Sequence, residues 1–226
     1  MTATRCFIPL ISDSWFVLDI NIILAFIPAA LVLIISPGPD SIYTLTRSIS
    51  DGRTVGVTAA LGSSTGSIVH TTAAVLGLSA VLKTSAVAYT IVKLVGAAYL
   101  VYLGVQTFRS SEEFEITPES TSFTPTESFK SALMINALNP KVAVFFLAFL
   151  PQFVQPSGST AVQLFTFGVL FATLGFCYQA LLAVFSARAR RAITERELVQ
   201  TILQTVSGSV LIGFGLKLAL ERRVTS

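Results

Sequence analysis

Charge is the commodity this sequence has least of. Only 12% of its 226 residues are Asp, Glu, Lys or Arg, against about 25% in an ordinary soluble domain. With 53% hydrophobic residues and a mean hydropathy of +0.75, one soluble core of this size would leave too much apolar surface wet. Lipid is the expected solvent, and an all-α membrane protein the expected class. Histidine occurs once, at His70, and cysteine twice, at Cys6 and Cys177, far apart and in no CxxC. That argues against thiol–disulfide chemistry, a zinc or iron–sulfur site, and metal export. No P-loop, HExxH or nucleophile elbow is present, so neither an ATP-driven pump nor a hydrolase is encoded and no cofactor is expected. The net charge of +3 forms no continuous basic face. The basic residues punctuate apolar runs, as membrane topology requires, so nucleic acid is not an expected partner.

The apolar runs number six, at about 17–36 (extending toward 48), 56–81, 86–107, 130–152, 161–186 and 199–220. Each approaches the roughly 20 residues that cross a bilayer. This divides the chain into an N-terminal extension (1–16), a transporter domain (17–220) and a short tail (221–226). The domain's halves, about 17–107 and 130–220, are joined by an acidic loop, 108–129, containing SSEEFEITPESTSFTPTES. A single Arg5 before the first run, and a proline break after it, do not make a cleavable signal. Loops one, three and five carry Arg47 and Arg53; Arg109 and Lys130; and Arg188, Arg190, Arg191 and Arg196. The other side has Arg5, Lys83, Arg222 and Arg223. The positive-inside rule then puts loops one, three and five in the cytoplasm and both termini outside. Small residues four apart, Gly62 with Gly66 and Ser209 with Gly213, suit close helix packing or the lining of a solute path.

Two runs are interrupted. SPGPDSIYTLTRS follows the first, and Asn139-Pro140-Lys141 cuts the fourth. An interior proline removes a hydrogen bond and clashes with a carbonyl, at about 3 kcal/mol in water. In lipid the freed groups need partners in protein or in a wet cavity. Asp40 points the same way, because a carboxylate at bilayer depth costs about 2.5–3.5 kcal/mol even on insertion scales. Matching breaks in the first helix of each three-segment half are what an inverted-repeat transporter shows at its substrate site. An amino acid brings one ammonium and one carboxylate; Asp40 suits the first and Lys141 the second. The plainer alternative has PGPD ending the first helix at the membrane surface, with Asp40 as N-cap of the next helix and Lys141 snorkelling.

The sequence resembles the LysE/RhtB family of bacterial amino-acid exporters. SPGPDSIYTLTRSISDGRTVGVTAALGSSTG matches the family's N-terminal signature, KLVGAAYLVYLG its third-helix pattern and LNPKVAVFFLAFLPQFV its fourth, and the match covers about residues 17–220. The resemblance implies a secondary transporter in the bacterial inner membrane that exports amino acids or close derivatives, driven by protons. Its signature positions here are Pro37, Gly38, Pro39, Asp40, Asn139, Pro140 and Lys141; many members carry Asn where this chain has Asp40. Only Asp can also carry a proton. A homodimer is an expectation from similarly small bundles. A passive channel, or a redox or enzymatic protein on a similar scaffold, is the alternative reading.

Other polar residues in the apolar runs are weaker candidates. His70 suits either a proton relay, since imidazole titrates near neutrality, or a neutral hydrogen-bonded place in the bundle. Lys93 reads as snorkelling or as facing the pathway. Arg47 reads as a topology anchor or as a substrate contact at the cytoplasmic mouth. Asn136, one turn before Pro140, suits a freed carbonyl or the substrate, and Gln179 has a weak claim to the pathway.

Overall fold

The computed structural model of the chain describes residues 19–78, 86–109, 122–155, 158–186 and 197–220, and all of their regular structure is helical. Several sequence expectations lie outside these residues: the 1–16 extension with Arg5 and Cys6, Lys83, most of the acidic loop, the RARRAITER stretch, and the 221–226 tail. The helices are α1 (Ile20–Ile35), α2 (Pro39–Ser50), α3 (Arg53–Ala73), α4 (Ala86–Arg109), α5 (Pro125–Ala137), α6 (Pro140–Val144), α7 (Thr160–Val184) and α8 (Glu197–Leu220). A wide π turn, Ala74–Leu78, prolongs α3. Another, Phe145–Phe149, prolongs α6 and tightens into a 3-10 turn at Leu150–Phe153.

The starts of these helices are written locally. Asp19 caps α1 by accepting from the Asn21 amide at 2.9 Å. Thr124 and Glu127 form a reciprocal capping box with Pro125 at the first position, so α5 begins inside the stretch read as loop and five residues before the expected segment at 130. TPTE carried that signal. Pro28 lies within α1 without interrupting it; one proline alone does not end a helix here, and Pro37-Gly38-Pro39 does.

On length and composition, α4 (from Val87) and α7 can each cross a membrane. The pairs α1–α2, bent by 58°, and α5 with Pro140–Phe153, bent by 49°, pass only when each counts as one broken span. That gives two to four spans among the described residues, where hydropathy expects six along the chain. The 21 residues of α3 are diluted by Ser, Thr and Gly, and the apolar part of α8 is Gln204–Leu220.

Helix α3 is central, packed against α5 and α7, while α4 pairs with α8. Gly62 makes the first contact possible, because a Cβ there would overlap the Phe129 carbonyl, and Gly66 abuts the Asn136 side chain. The small-residue reading of this pair is therefore one of packing. At Gly213 it fails, since an added Cβ would meet nothing within 4 Å; Gly104, Gly208 and Gly215 bring α4 and α8 together instead. Hydroxyl-to-carbonyl bonds stitch other helices: Ser48 to Ala183 at 2.6 Å, Ser64 to Ala172 at 2.9 Å and Ser128 to Val55 at 3.0 Å. The apolar core sits to one side of the breaks. Phe26 stacks near Phe167 (4.8 Å between centroids), Phe145 on Phe171 (4.7 Å) and Phe149 on Phe214 (4.5 Å). Lipid is as apolar as these rings, so packing complementarity rather than water exclusion favours the cluster. Exposed Leu24, Leu76, Val87 and Val95 are what an apolar solvent allows.

Candidate functional site

Helix α1 stops at Ser36, and Gly38, with an extended backbone, is the N-cap of α2 with Pro39 at the first position. Asp40 therefore sits in the first turn of α2 and is not its N-cap. The second break has the same form. Asn139 caps α6 by accepting from the Lys141 amide at 3.0 Å, and Pro140 is the first helical residue.

Each proline lacks the N–H that would satisfy the carbonyl four residues earlier. Pro37 thus frees the Leu33 carbonyl, and the Lys141 ammonium donates to it at 3.2 Å and to the Ser36 carbonyl at 2.8 Å. Lys141 turns inward onto the C-terminal end of α1, where the helix dipole favours a cation; it does not snorkel. Pro140 frees the Asn136 carbonyl, which accepts from the Asn139 amide at 2.9 Å and lies 3.0 Å from His70 Nε2. A carbonyl can only accept, so Nε2 carries the proton in this contact. Phe146, ring centroid 5.8 Å away, stacks on the imidazole.

The traffic also runs the other way. Asp40 Oδ2 accepts from Asn136 Nδ2 at 3.1 Å and from Asn139 Nδ2 at 3.0 Å. Asn136 is held in turn: its Nδ2 also reaches Ser63 Oγ at 3.2 Å, and its Oδ1 accepts from Ser67 Oγ at 3.3 Å. Ser63 Oγ also accepts from Gln179 Nε2 at 3.0 Å, and Gln179 Oε1 accepts from Thr44 Oγ1 at 2.8 Å. A continuous polar chain thus runs Thr44–Gln179–Ser63–Asn136–Asp40 across α2, α7, α3 and α5. Asp40 Oδ1 ends it, buried and without a hydrogen-bond partner among the described residues.

A cavity of about 30 Å³ lies at this point, lined by Gly38, Asp40, Ser63, Asn136, Lys141 and Gln179 among others. It has room for about two waters and too little for an amino acid in this conformation. Asp40 and Lys141 share the cavity without forming an ion pair with each other. Of the other predicted residues, Asn139 reaches the site through Asp40, while Pro39 and Pro140 are exposed and shape the breaks without lining the cavity. His70 touches Asn136 from outside it. Lys93, half-buried on α4, is not part of its lining.

Arg47 is fully buried, paired with Asp51 at 3.0 Å and stacked 4.3 Å from the Phe123 ring. It is an interior charge rather than a loop-surface anchor, and it is absent from the cavity lining. Cys177 is exposed on α7. Sequence reasoning missed Ser63, Ser67 and Thr44. The one available signal is the four-residue spacing of Ser63, Ser67 and Thr71, which shares a face of α3 with Gly66.

Proline-broken apolar helices whose ends meet at a half-buried carboxylate and ammonium belong with membrane transport proteins. The profile of the LysE type translocators matches residues 31–222, and the chain belongs to that family. An uncharacterized membrane protein of Bacillus subtilis (strain 168), YrhP, is 30% identical over 88% of this chain and 99% of its own. An uncharacterized membrane protein of Vibrio cholerae is 30% identical over 91% of this chain and its own full length. The homoserine/homoserine lactone efflux protein of Salmonella typhimurium is 33% identical over 64% of this chain and 70% of its own. No solved structure matches.

Proposed function

We propose that this translocator exports amino acids or close derivatives from the cytoplasm, coupled to protons, through alternating access around the two breaks. The observation that carries the reading is the buried Oδ1 of Asp40, without a partner among the described residues, on a side chain that lines the cavity shared with Lys141 where both broken helices end. Asp40 receives the substrate's ammonium and, between substrates, a proton. Lys141 receives the carboxylate, and Asn136 and Asn139 hold Asp40 in place for both tasks. His70, bonded to the same Asn136, is the nearest candidate for passing that proton on. Supporting the amino-acid class is the Salmonella relative named for efflux of homoserine and its lactone, which makes homoserine the first species to test. A cavity of only about 30 Å³ favours alternating access over an open channel.

On this reading six spans form two inverted halves in the inner membrane, with both termini outside. A homodimer would suit so small a transporter. The test is dipeptide feeding of cells with and without the gene, followed by measurement of intracellular free amino acids. The exported species should accumulate only where the gene is absent. Identical pools in both strains would refute the assignment, and uphill export would separate a coupled carrier from a channel.

A further inference from the structure

We propose that Lys141 is a latch between the two broken helices, and that a zwitterionic substrate opens it by offering its carboxylate in place of the α1 carbonyls. The inference rests on the amino-acid reading of the site and adds to it how the closed state is held and why both substrate charges are needed.

The geometry is specific. Lys141 stands on the first turn of α6, yet its ammonium lies on Leu33 O (3.2 Å) and Ser36 O (2.8 Å) at the end of α1. One side chain of the second break thus closes the first. Gly38 makes room for it, since a Cβ at that position would lie 3.0 Å from Lys141 Nζ. The ammonium proposed to take the substrate's carboxylate is already engaged. The carbonyls it satisfies would be stranded in a poorly hydrated site if it simply left.

A zwitterion resolves both problems together. Its carboxylate takes over the Lys141 ammonium, giving that cation an ionised partner in place of two neutral carbonyls. Its ammonium takes Lys141's place at the α1 carbonyls and meets Asp40 Oδ1, the acceptor otherwise left over. A solute with the ammonium alone gives Lys141 nothing to move to, and one with the carboxylate alone strands the carbonyls. Discrimination arises from what would be left unpaired, which is where polar sites discriminate most sharply.

Opening can be read without knowing the substrate. Gly175 lines the cavity and an added Cβ there meets nothing within 4 Å, so Gly175→Cys, in the full chain with Cys6→Ser and Cys177→Ser, makes a reporter whose labelling by a small methanethiosulfonate follows opening. Adding Lys141→Met should raise the labelling rate several-fold with no solute present. Gly38→Ala, which crowds the ammonium from the other side, should do the same if the methionine variant fails to run as a monodisperse peak. In the reporter with Lys141 intact, a mixture of homoserine and the proteinogenic amino acids other than cysteine should accelerate labelling, and the same mixture as methyl esters should not. Labelling as slow in both variants as in the reporter overturns the latch. Esters as effective as amino acids overturn the carboxylate exchange. Fast variants beside a reporter that ignores every amino acid leave the latch standing and overturn the amino-acid reading on which the exchange depends.

Discussion

Replacing Asp40 by Asn separates the carboxylate's two jobs, because the two oxygens face different neighbours. Oδ2 already accepts from both Asn136 and Asn139, and Oδ1, without a partner among the described residues, is the atom proposed to receive the substrate's ammonium. An asparagine must point its carbonyl at those two amide donors, since the reverse orientation would set an NH₂ against two others. Its own NH₂ then occupies the Oδ1 position and presents a donor to an incoming ammonium. The Asn136 and Asn139 bonds persist, and losing the charge also removes the cost of burying it, so the thermal midpoint in detergent should change little. Substrate binding loses one charge-assisted bond, worth about 1.5–3 kcal/mol, which corresponds to roughly a 10- to 150-fold rise in the apparent constant. Asp40→Ala differs: it strands both amide donors, each at about 1–3 kcal/mol, and should lower the midpoint as well. The assay is counterflow in liposomes with the amino acid that accumulates in the dipeptide experiment, alongside melting of the same preparations. An Asp40→Asn variant that exchanges with the parental constant refutes the ammonium site.

Gly62→Ala should lower the melting temperature, because overpacking costs about 1–3 kcal/mol where the new methyl meets the Phe129 carbonyl. Gly213→Ala, facing open space, should instead gain up to about 1 kcal/mol of helix propensity; equal effects would undo the packing argument. His70→Gln keeps an N–H donor for the Asn136 carbonyl and should melt near the parent, whereas His70→Ala should lose about 0.6 kcal/mol, the average for such bonds in membrane bundles. Loss of pH-driven export in a well-folded Gln variant would assign His70 to the proton path. Arg47→Met should destabilise by about 3–5 kcal/mol by leaving Asp51 buried and unpaired. Adding Asp51→Asn should restore much of that, and no recovery would show that Arg47's stacking on Phe123, not the ion pair, carries its weight.

The breaks were legible because Pro, Gly and Asp act on the backbone directly, and no packing context was needed to see that PGPD and NPK interrupt apolar runs. Their partners were not. Whether Lys141 runs outward to water or inward to a carbonyl depends on the 58° bend between α1 and α2, which no local pattern encodes. The serines were hidden for a related reason. Hydroxyls in apolar helices usually bond their own backbone, as Thr65, Thr71 and Thr72 do at 2.8–2.9 Å. Nothing in LGSSTGS says that Ser63 instead serves Asn136 and Gln179. Arg47 misled because a basic residue at the foot of an apolar run resembles a topology anchor. Its burial follows from Phe123 and Asp51, the first of them some 75 residues away in sequence. Thr124-x-x-Glu127 was readable as a capping box, but the acidic, proline-containing run around it favoured a loop.

The two interruptions also explain each other. The carbonyl freed by Pro37 takes its donor from Lys141, in the second break, and the carboxylate after Pro39 takes its donors from Asn136 and Asn139, in and beside the second break. The first break is thus satisfied from the second, while the Asn136 carbonyl freed by Pro140 is met by the Asn139 amide and by His70. The contacts between the breaks hold only while the two ends stay within hydrogen-bond reach. On the proposed mechanism, a motion that separates the two broken helices must supply a cation to the end of α1, an anion to Lys141 and a donor to Asp40 in the same step. Water can supply these on the open face, where it is plentiful. Within the closed site, on the proposed latch, a solute carrying both charges supplies them, which would tie opening to the presence of cargo.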